Sequence, residues 1–287
     1  MSQTFSLTSE QRDQFLETGV VRLLGVIPKA AAAAMADRLW AACERQHGAL
    51  RDQPATWTQQ RLFQFNDLRR EGAFAPMRSA GLEALLDDFF GERGWTAPQH
   101  WGGPLVTFPT PGEWSVTSAS WHLDMWPGLR LDPWPNVLRV FTFLAPLEPG
   151  GGGTLYVAGS ARLATALVAS GRAKLRSARL REAMKRVSPW IAELCSPEGE
   201  DERTRRFMQE GAEVDGVRLV VGEMTGEAGD VFLMHPGTLH AGAVNCRQAP
   251  RMMLAETISA RRWRRRTSSR GTVGARRSFS GTATLRR

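Results

Sequence analysis

From about residue 101 the sequence breaks into eight short apolar or alternating runs separated by proline and glycine. The runs are Pro104–Phe108, Ser115–Asp124, Val137–Leu144, Thr154–Val157, Val217–Val221, Asp230–Met234, His240–Val244 and Arg251–Ile258. Short runs of this kind, bounded by turn residues, read as strands with one or both faces buried. Eight of them predict a closed or double-sheet β architecture.

The residues ahead of this region are patterned for helices. Thr8 is placed to cap a helix that begins Ser9-Glu10-Gln11 and carries Phe15 and Leu16, and Gly19 stops it before a short strand, Val20–Leu24. Pro28 opens a second helix to about Arg45, with Met35, Leu39 and Cys43 four residues apart on one stripe. Residues 61–92 read as mixed and mostly helical, with Leu82, Leu85, Leu86 and Phe89 at helical spacing. A charged helical insert at about 160–212 contains Leu163, Leu167, Leu175, Leu180 and Met184. The class is therefore α+β, with one domain over residues 1–260. Helices come first, and then a β core interrupted by the insert.

Composition narrows the function classes. Apolar residues make up 42% and charged residues 23% of the 287, an ordinary globular balance. No run approaches the roughly 18–20 apolar residues of a membrane span, and the polar opening predicts no secretory leader. Three cysteines, Cys43, Cys195 and Cys246, show no CxxC spacing. They predict a reducing, cytoplasmic setting rather than a disulfide framework or a structural zinc. The net charge of +8 is concentrated at the end: residues 261–287 hold ten arginines and no acid, which leaves the rest at −2. This Arg/Ser/Thr/Gly tail reads as a disordered extension beyond about residue 266, so no specific nucleic-acid partner is expected. Oligomeric state is not readable from the sequence.

The chemistry-bearing residues sit in three places. In Ser120-Trp121-His122-Leu123-Asp124 an imidazole and a carboxylate are two apart, so on a strand they face the same side. Alone, that pair also fits a histidine oriented by a surface acid. The stretch Gly229-Asp230 to His240-Ala241-Gly242 reads as a strand, a Pro-Gly turn and a histidine opening the next strand; His240 fits a third metal ligand or a residue packed at a turn. Two histidines and one carboxylate bind one face of an octahedral ion and leave three positions open, as non-haem Fe(II) oxygenases require. Arg251 opens Arg251-Met252-Met253-Leu254-Ala255-Glu256-Thr257-Ile258. Alternation turns it inward with Met253, Ala255 and Thr257, where a guanidinium is costly unless an anion meets it; the alternative is a strand-end arginine reaching solvent.

Taken in order, these motifs resemble the phytanoyl-CoA dioxygenase-like family. The resemblance rests on His122-x-Asp124; the run from Pro149 through Gly152-Gly153-Thr154-Leu155-x-Val157-x-Gly159-Ser160; Gly229-Asp230-x₄-His235-Pro236-x₃-His240-x₄-Asn245; Arg251; and the opening Leu7-Thr8-x-Glu10-Gln11-x₃-Phe15-x₃-Gly19-Val20. It covers most of residues 5–258 and fades in 45–100 and in the insert. It implies a double-stranded β-helix, a jelly-roll or cupin-like core. It further implies Fe(II) held by His122, Asp124 and His240, with 2-oxoglutarate and O₂ as cosubstrates. Arg251 would take the distal carboxylate of 2-oxoglutarate and Thr154 would add a hydroxyl. His235 competes for the third ligand, but its spacing to Arg251 fits less well than that of His240. Two departures stand out. Gly242 lies where many relatives carry Ser or Thr, and Ala158-Gly159-Ser160-Ala161 replaces Pro-Gly-Ser-His. Asp124 argues against halogenation, because related halogenases lack this carboxylate.

The implied reaction couples decarboxylation of 2-oxoglutarate to hydroxylation of an unactivated C–H bond; desaturation and ring formation share the same scaffold. Six of the ten tryptophans, at 95, 101, 114, 121, 126 and 134, cluster around His122-x-Asp124. Trp126 and Trp134 are the candidates to wall a pocket for a hydrophobic small molecule, such as a secondary metabolite. The rival reading is a metal-dependent cupin-type enzyme that does not use 2-oxoglutarate, for which an inward Arg251 has no purpose.

Overall fold

A computed structural model describes residues 5–132, 134–197 and 202–261; the expected disordered tail falls almost wholly outside them. Helix α1 (Ser9–Thr18) starts where the sequence places its cap: Thr8 Oγ1 accepts from the Gln11 amide and Gln11 Oε1 accepts from the Thr8 amide, closing a capping box. Gly19 ends it with φ 83°, a left-handed conformation that costs glycine nothing. Strand β1 (Val20–Leu23) follows directly. Helix α2 (Lys29–His47) buries Met35, Leu39 and Cys43 on the expected stripe. Helix α3 (Asn66–Arg70) and α4 (Ala80–Phe90) complete the N-terminal layer, and α4 buries Leu82, Leu85, Leu86 and Phe89.

The strands are β2 (Arg61–Leu62), β3 (Trp95–Thr96), β4 (Gly103–Thr107), β5 (Val137–Phe143), β6 (Thr154–Ala158), β7 (Ala212–Val214), β8 (Val217–Glu223), β9 (Val231–Met234), β10 (His240–Gly242) and β11 (Arg251–Ala260). They form two antiparallel sheets. One runs β1-β9-β5-β11-β4-β2, with β3 also on β11, and the other runs β10-β6-β8-β7.

The side-chain period of two sorts each strand between layers. From the larger sheet, Leu138, Val140, Leu233, Met252 and Leu254 pack outward against Phe15, Leu39, Leu82 and Leu86 of the helices. Phe141, Phe143, Phe232, Met234, Met253 and Ala255 point the other way into a layer that Tyr156 of the smaller sheet joins. The alternation expected of β11 is therefore present, Arg251 included. The smaller sheet packs its outer residues, Leu155, Val157, Leu219 and Val221, against the insert. The insert consists of α5 (Ser160–Ala169), α6 (Ser177–Val187), α7 (Pro189–Leu194) and a π-helical turn at Arg205–Glu210. Among the described residues no helix is long and apolar enough to cross a membrane.

One expected strand is absent. Ser115–Asp124 makes a single β-bridge, His122 to His240, instead of a ladder. Its backbone groups are met by side chains of the insert. Arg203 donates to the carbonyls of Val116 (2.7 Å) and Thr117 (3.2 Å), Arg181 to that of Trp121 (2.8 Å), and the Leu123 amide donates to Ser177 Oγ (3.2 Å). Apolar-polar alternation is the same whether a segment pairs with a strand or is held by guanidinium groups, so the pattern misleads here.

Candidate metal centre

His122 and His240 are brought together by the bridge between them: each backbone amide donates to the other's carbonyl at 2.9 Å, and the two rings lie 4.2 Å apart. Asp124 completes the group, 3.9 Å from His122 Nε2 and 3.6 Å from His240 Nε2. One ligand atom from each of the three lies within 4.8 Å of the others. The side chain of His122 is about half exposed at 48% and that of Asp124 less so at 22%, while His240 is buried. The cluster therefore opens on its His122 side.

The local chain explains how each ligand is aimed. Ser120 adopts φ 64°, a strained choice for a residue with a Cβ. His122 Nδ1 lies 2.7 Å from the Ser120 carbonyl. His240 Nδ1 lies 3.0 Å from the Thr238 carbonyl. A carbonyl only accepts, so both Nδ1 atoms carry the proton, and both Nε2 lone pairs are left for the cluster. The turn that delivers His240 is pinned from three directions. Ser160 Oγ accepts from the Leu239 amide (2.9 Å), Thr238 Oγ1 donates to the Gly19 carbonyl (3.1 Å), and the His235 amide donates to the same carbonyl (2.8 Å). Burial pushes the His240 imidazole down to about 4 against the pull of Asp124, so it is neutral at pH 7, the form that ligates a metal.

Asp124 also meets Arg139, which sequence reasoning missed. Arg139 Nε lies 2.8 Å from Asp124 Oδ2, yet neither atom has an aligned hydrogen-bond partner. The contact is an ion pair, and it fixes one oxygen of the carboxylate beside β5. Arg139 Nη1 donates to Thr257 Oγ1 at 2.7 Å, across from it on β11. A lone arginine inside Val137–Phe143 was as visible a signal as Arg251.

A cavity of about 230 Å³ joins these groups. His122, Asp124, His240, Arg139, Arg251 and Thr154 all line it, and Arg61 of β2 reaches it as well. Arg251 is buried and donates to the Gly152 carbonyl at 2.6 Å, while its Nε has no partner. Burial, and then the charge of Arg61, push its guanidinium down to about 10. The apolar part of the lining is Leu62, Phe63, Leu105, Val106 and Phe141, and Phe63 is 65% exposed.

Trp126 and Trp134 are not among the lining residues. Trp134 packs on Phe15 and Phe89 with its indole nitrogen donating to the Phe89 carbonyl, and Trp126 leans on the core between the smaller sheet and the insert. Both have the surroundings of packing residues. His235 is fully engaged elsewhere. Its Nδ1 accepts from the Gly237 amide (2.9 Å), so Nε2 carries the proton and donates to the Leu131 carbonyl (3.1 Å). Asp230 and Asn245 of the same motif are structural as well. Asp230 takes Arg22 and the Gly25 amide, and Asn245 donates to the carbonyls of Thr107 and Ala249.

The sequence matches no family model and no curated protein. Solved structures do share its fold. HygX from Streptomyces hygroscopicus with nickel and 2-oxoglutarate bound has a TM-score of 0.52 at 17% identity, over 91% of this chain and 90% of that one. The iron-bound form of HygX gives 0.50 at 15% identity over 91% and 89%. AviO1 from Streptomyces viridochromogenes Tue57 gives 0.50 at 16% identity over 88% and 95%. At such identities the likeness is one of fold, and it spans nearly the whole length of all the chains compared.

Proposed function

We propose that this chain is a non-haem Fe(II) oxygenase dependent on 2-oxoglutarate, with His122, Asp124 and His240 as the iron ligands. The two facing sheets are then the walls of a double-stranded β-helix, of the phytanoyl-CoA dioxygenase-like kind that the motif order resembles. The observation that carries this reading is the pair of histidines whose Nδ1 protons are spent on backbone carbonyls, leaving both Nε2 atoms turned to the Asp124 carboxylate on the wall of one cavity. The fold shared with HygX, which was solved with iron and, separately, with nickel and 2-oxoglutarate, supports the choice of metal and cosubstrate.

Bound there, iron would supply the oxidising step by which 2-oxoglutarate, O₂ and a substrate C–H bond become succinate, CO₂ and the corresponding alcohol, one oxygen atom going to succinate and the other to the alcohol. The protein's own share is orientation. Arg139 steers the Asp124 carboxylate, Arg251 offers a buried guanidinium to an acid group, and Thr154 brings a hydroxyl-bearing side chain to the same cavity. Phe63 and Leu105, with Leu62 and Val106, give the cavity an apolar side, which suits a hydrophobic small molecule whose C–H bond is the one hydroxylated.

Equilibrium dialysis under anaerobic conditions tests the ligand set. One Fe(II) per chain is expected for the native protein, and less than a tenth of that for Asp124→Ala. Equal iron in both would remove Asp124 from the site and the oxygenase reading with it.

A further inference from the structure

Arg61 and Arg251 lie in one row across the larger sheet. Both are in register with Thr107 of β4, Arg61 from β2 on one side and Arg251 from β11 on the other. Register partners in antiparallel strands project to the same face, so the row presents guanidinium, hydroxyl and guanidinium to the space between the sheets. Each member is incompletely satisfied: Arg61 Nε, Thr107 Oγ1 and Arg251 Nε are buried without a hydrogen-bond partner. No carboxylate lies within ion-pairing distance of either arginine among the described residues. Glu223 is the acid whose charge Arg251 feels, and its two oxygens accept from the amides of Gly150 and Gly153.

Two like charges held together this way are unfavourable unless an anion sits between them. Gly242 of β10 borders the same space. A Cβ placed there would stand 3.3 Å from Arg61 Nη2 and 3.6 Å from its Cζ. Arg61 thus occupies the space into which a side chain at position 242 would grow, and Gly242 faces Thr154 across the smaller sheet.

We propose that Arg61 and Arg251, with Thr107 between them, form a double clamp for the distal carboxylate of 2-oxoglutarate, Arg61 taking the place that the absent side chain at Gly242 leaves open. The clamp rests on the 2-oxoglutarate reading above and adds a residue to it. Two guanidinium groups and a hydroxyl offer enough donors for every lone pair of one carboxylate. The missing hydroxyl at position 242 is then a consequence of the second arginine and not a loss of cosubstrate binding.

The test measures 2-oxoglutarate affinity by anaerobic calorimetry on the nickel-loaded protein, with nickel affinity as the control for an intact site. Arg61→Ala should weaken 2-oxoglutarate by about tenfold or more, and Arg61→Lys by less, with nickel binding unchanged in both. Gly242→Ser should also weaken it, because the new side chain crowds Arg61. Adding Arg61→Ala to Gly242→Ser should recover part of the loss, since the hydroxyl then has room. Binding of 2-oxobutanoate, which lacks the distal carboxylate, should be indifferent to Arg61. Native-like 2-oxoglutarate affinity in Arg61→Ala, beside a large loss in Arg251→Ala, would overturn the double clamp and leave the function standing. Failure of the native, nickel-loaded protein to bind 2-oxoglutarate would sink both.

Discussion

The end of β9 and the start of β10 each present a histidine that is 4% exposed, and burial pushes both imidazoles down to about 4. They are five residues apart, on either side of one Pro-Gly turn. Their ring nitrogens are in opposite situations. His235 spends both, on the Gly237 amide and the Leu131 carbonyl, and its ring lies 6.0 Å from that of Phe15. His240 spends only Nδ1, and its Nε2 stands 3.6 Å from a carboxylate oxygen on the wall of a cavity. Burial and titration therefore do not separate a packing histidine from a ligand. The unspent nitrogen and the company it keeps do.

Replacing His240 by Ala breaks the comparison most sharply. Metal affinity should fall by more than about a hundredfold, beyond what loss of an outer partner costs, in a protein that still folds. His235→Ala should do the reverse. It opens a cavity and strands the Gly237 amide and the Leu131 carbonyl, so urea unfolding should show a loss of about 2–4 kcal/mol. The folded variant should still take up its metal. Iron loss in His235→Ala at full stability would erase the distinction.

The same pair sharpens it through pH. The folded pKa of His235, at about 4, lies below the ordinary 6.5, so between these values the unfolded chain binds the extra proton. Its contribution is intact above about pH 6.5 and is lost as the pH falls toward 4, by on the order of 3 kcal/mol. Urea midpoints of the metal-free protein should fall over that window, and His235→Gln should flatten the fall. The smallest effect is expected at Trp134, which belongs to the surroundings of His235 through Phe15. Trp134→Phe should cost about 1 kcal/mol for the bond to the Phe89 carbonyl and leave metal binding unaltered.

What was legible in the sequence follows from which forces act locally. Strand alternation is local, so the sequence alone turns Arg251 inward on β11 and places Thr154 on β6. The capping box at Thr8 and the stripe on α2 are local for the same reason. Ser115–Asp124 was misread because what holds it comes from Arg203, Arg181 and Ser177, distant in the chain. Arg61 was hidden because β2 is a two-residue strand whose place is set only by its register with β4. Arg139 was as legible as Arg251, a lone charged residue in the apolar run Val137–Phe143. The tryptophans drew attention by number, but number carries no direction, and Trp134 faces the helices.

Titrating the native protein with Fe(II) and 2-oxoglutarate in the absence of O₂ tests the metal and the cosubstrate together. A weak visible charge-transfer band is expected that needs both components and vanishes in Asp124→Ala. Iron that binds without any such band would point to a metal enzyme that does not use 2-oxoglutarate, and a native protein that binds no iron would rule out the oxygenase.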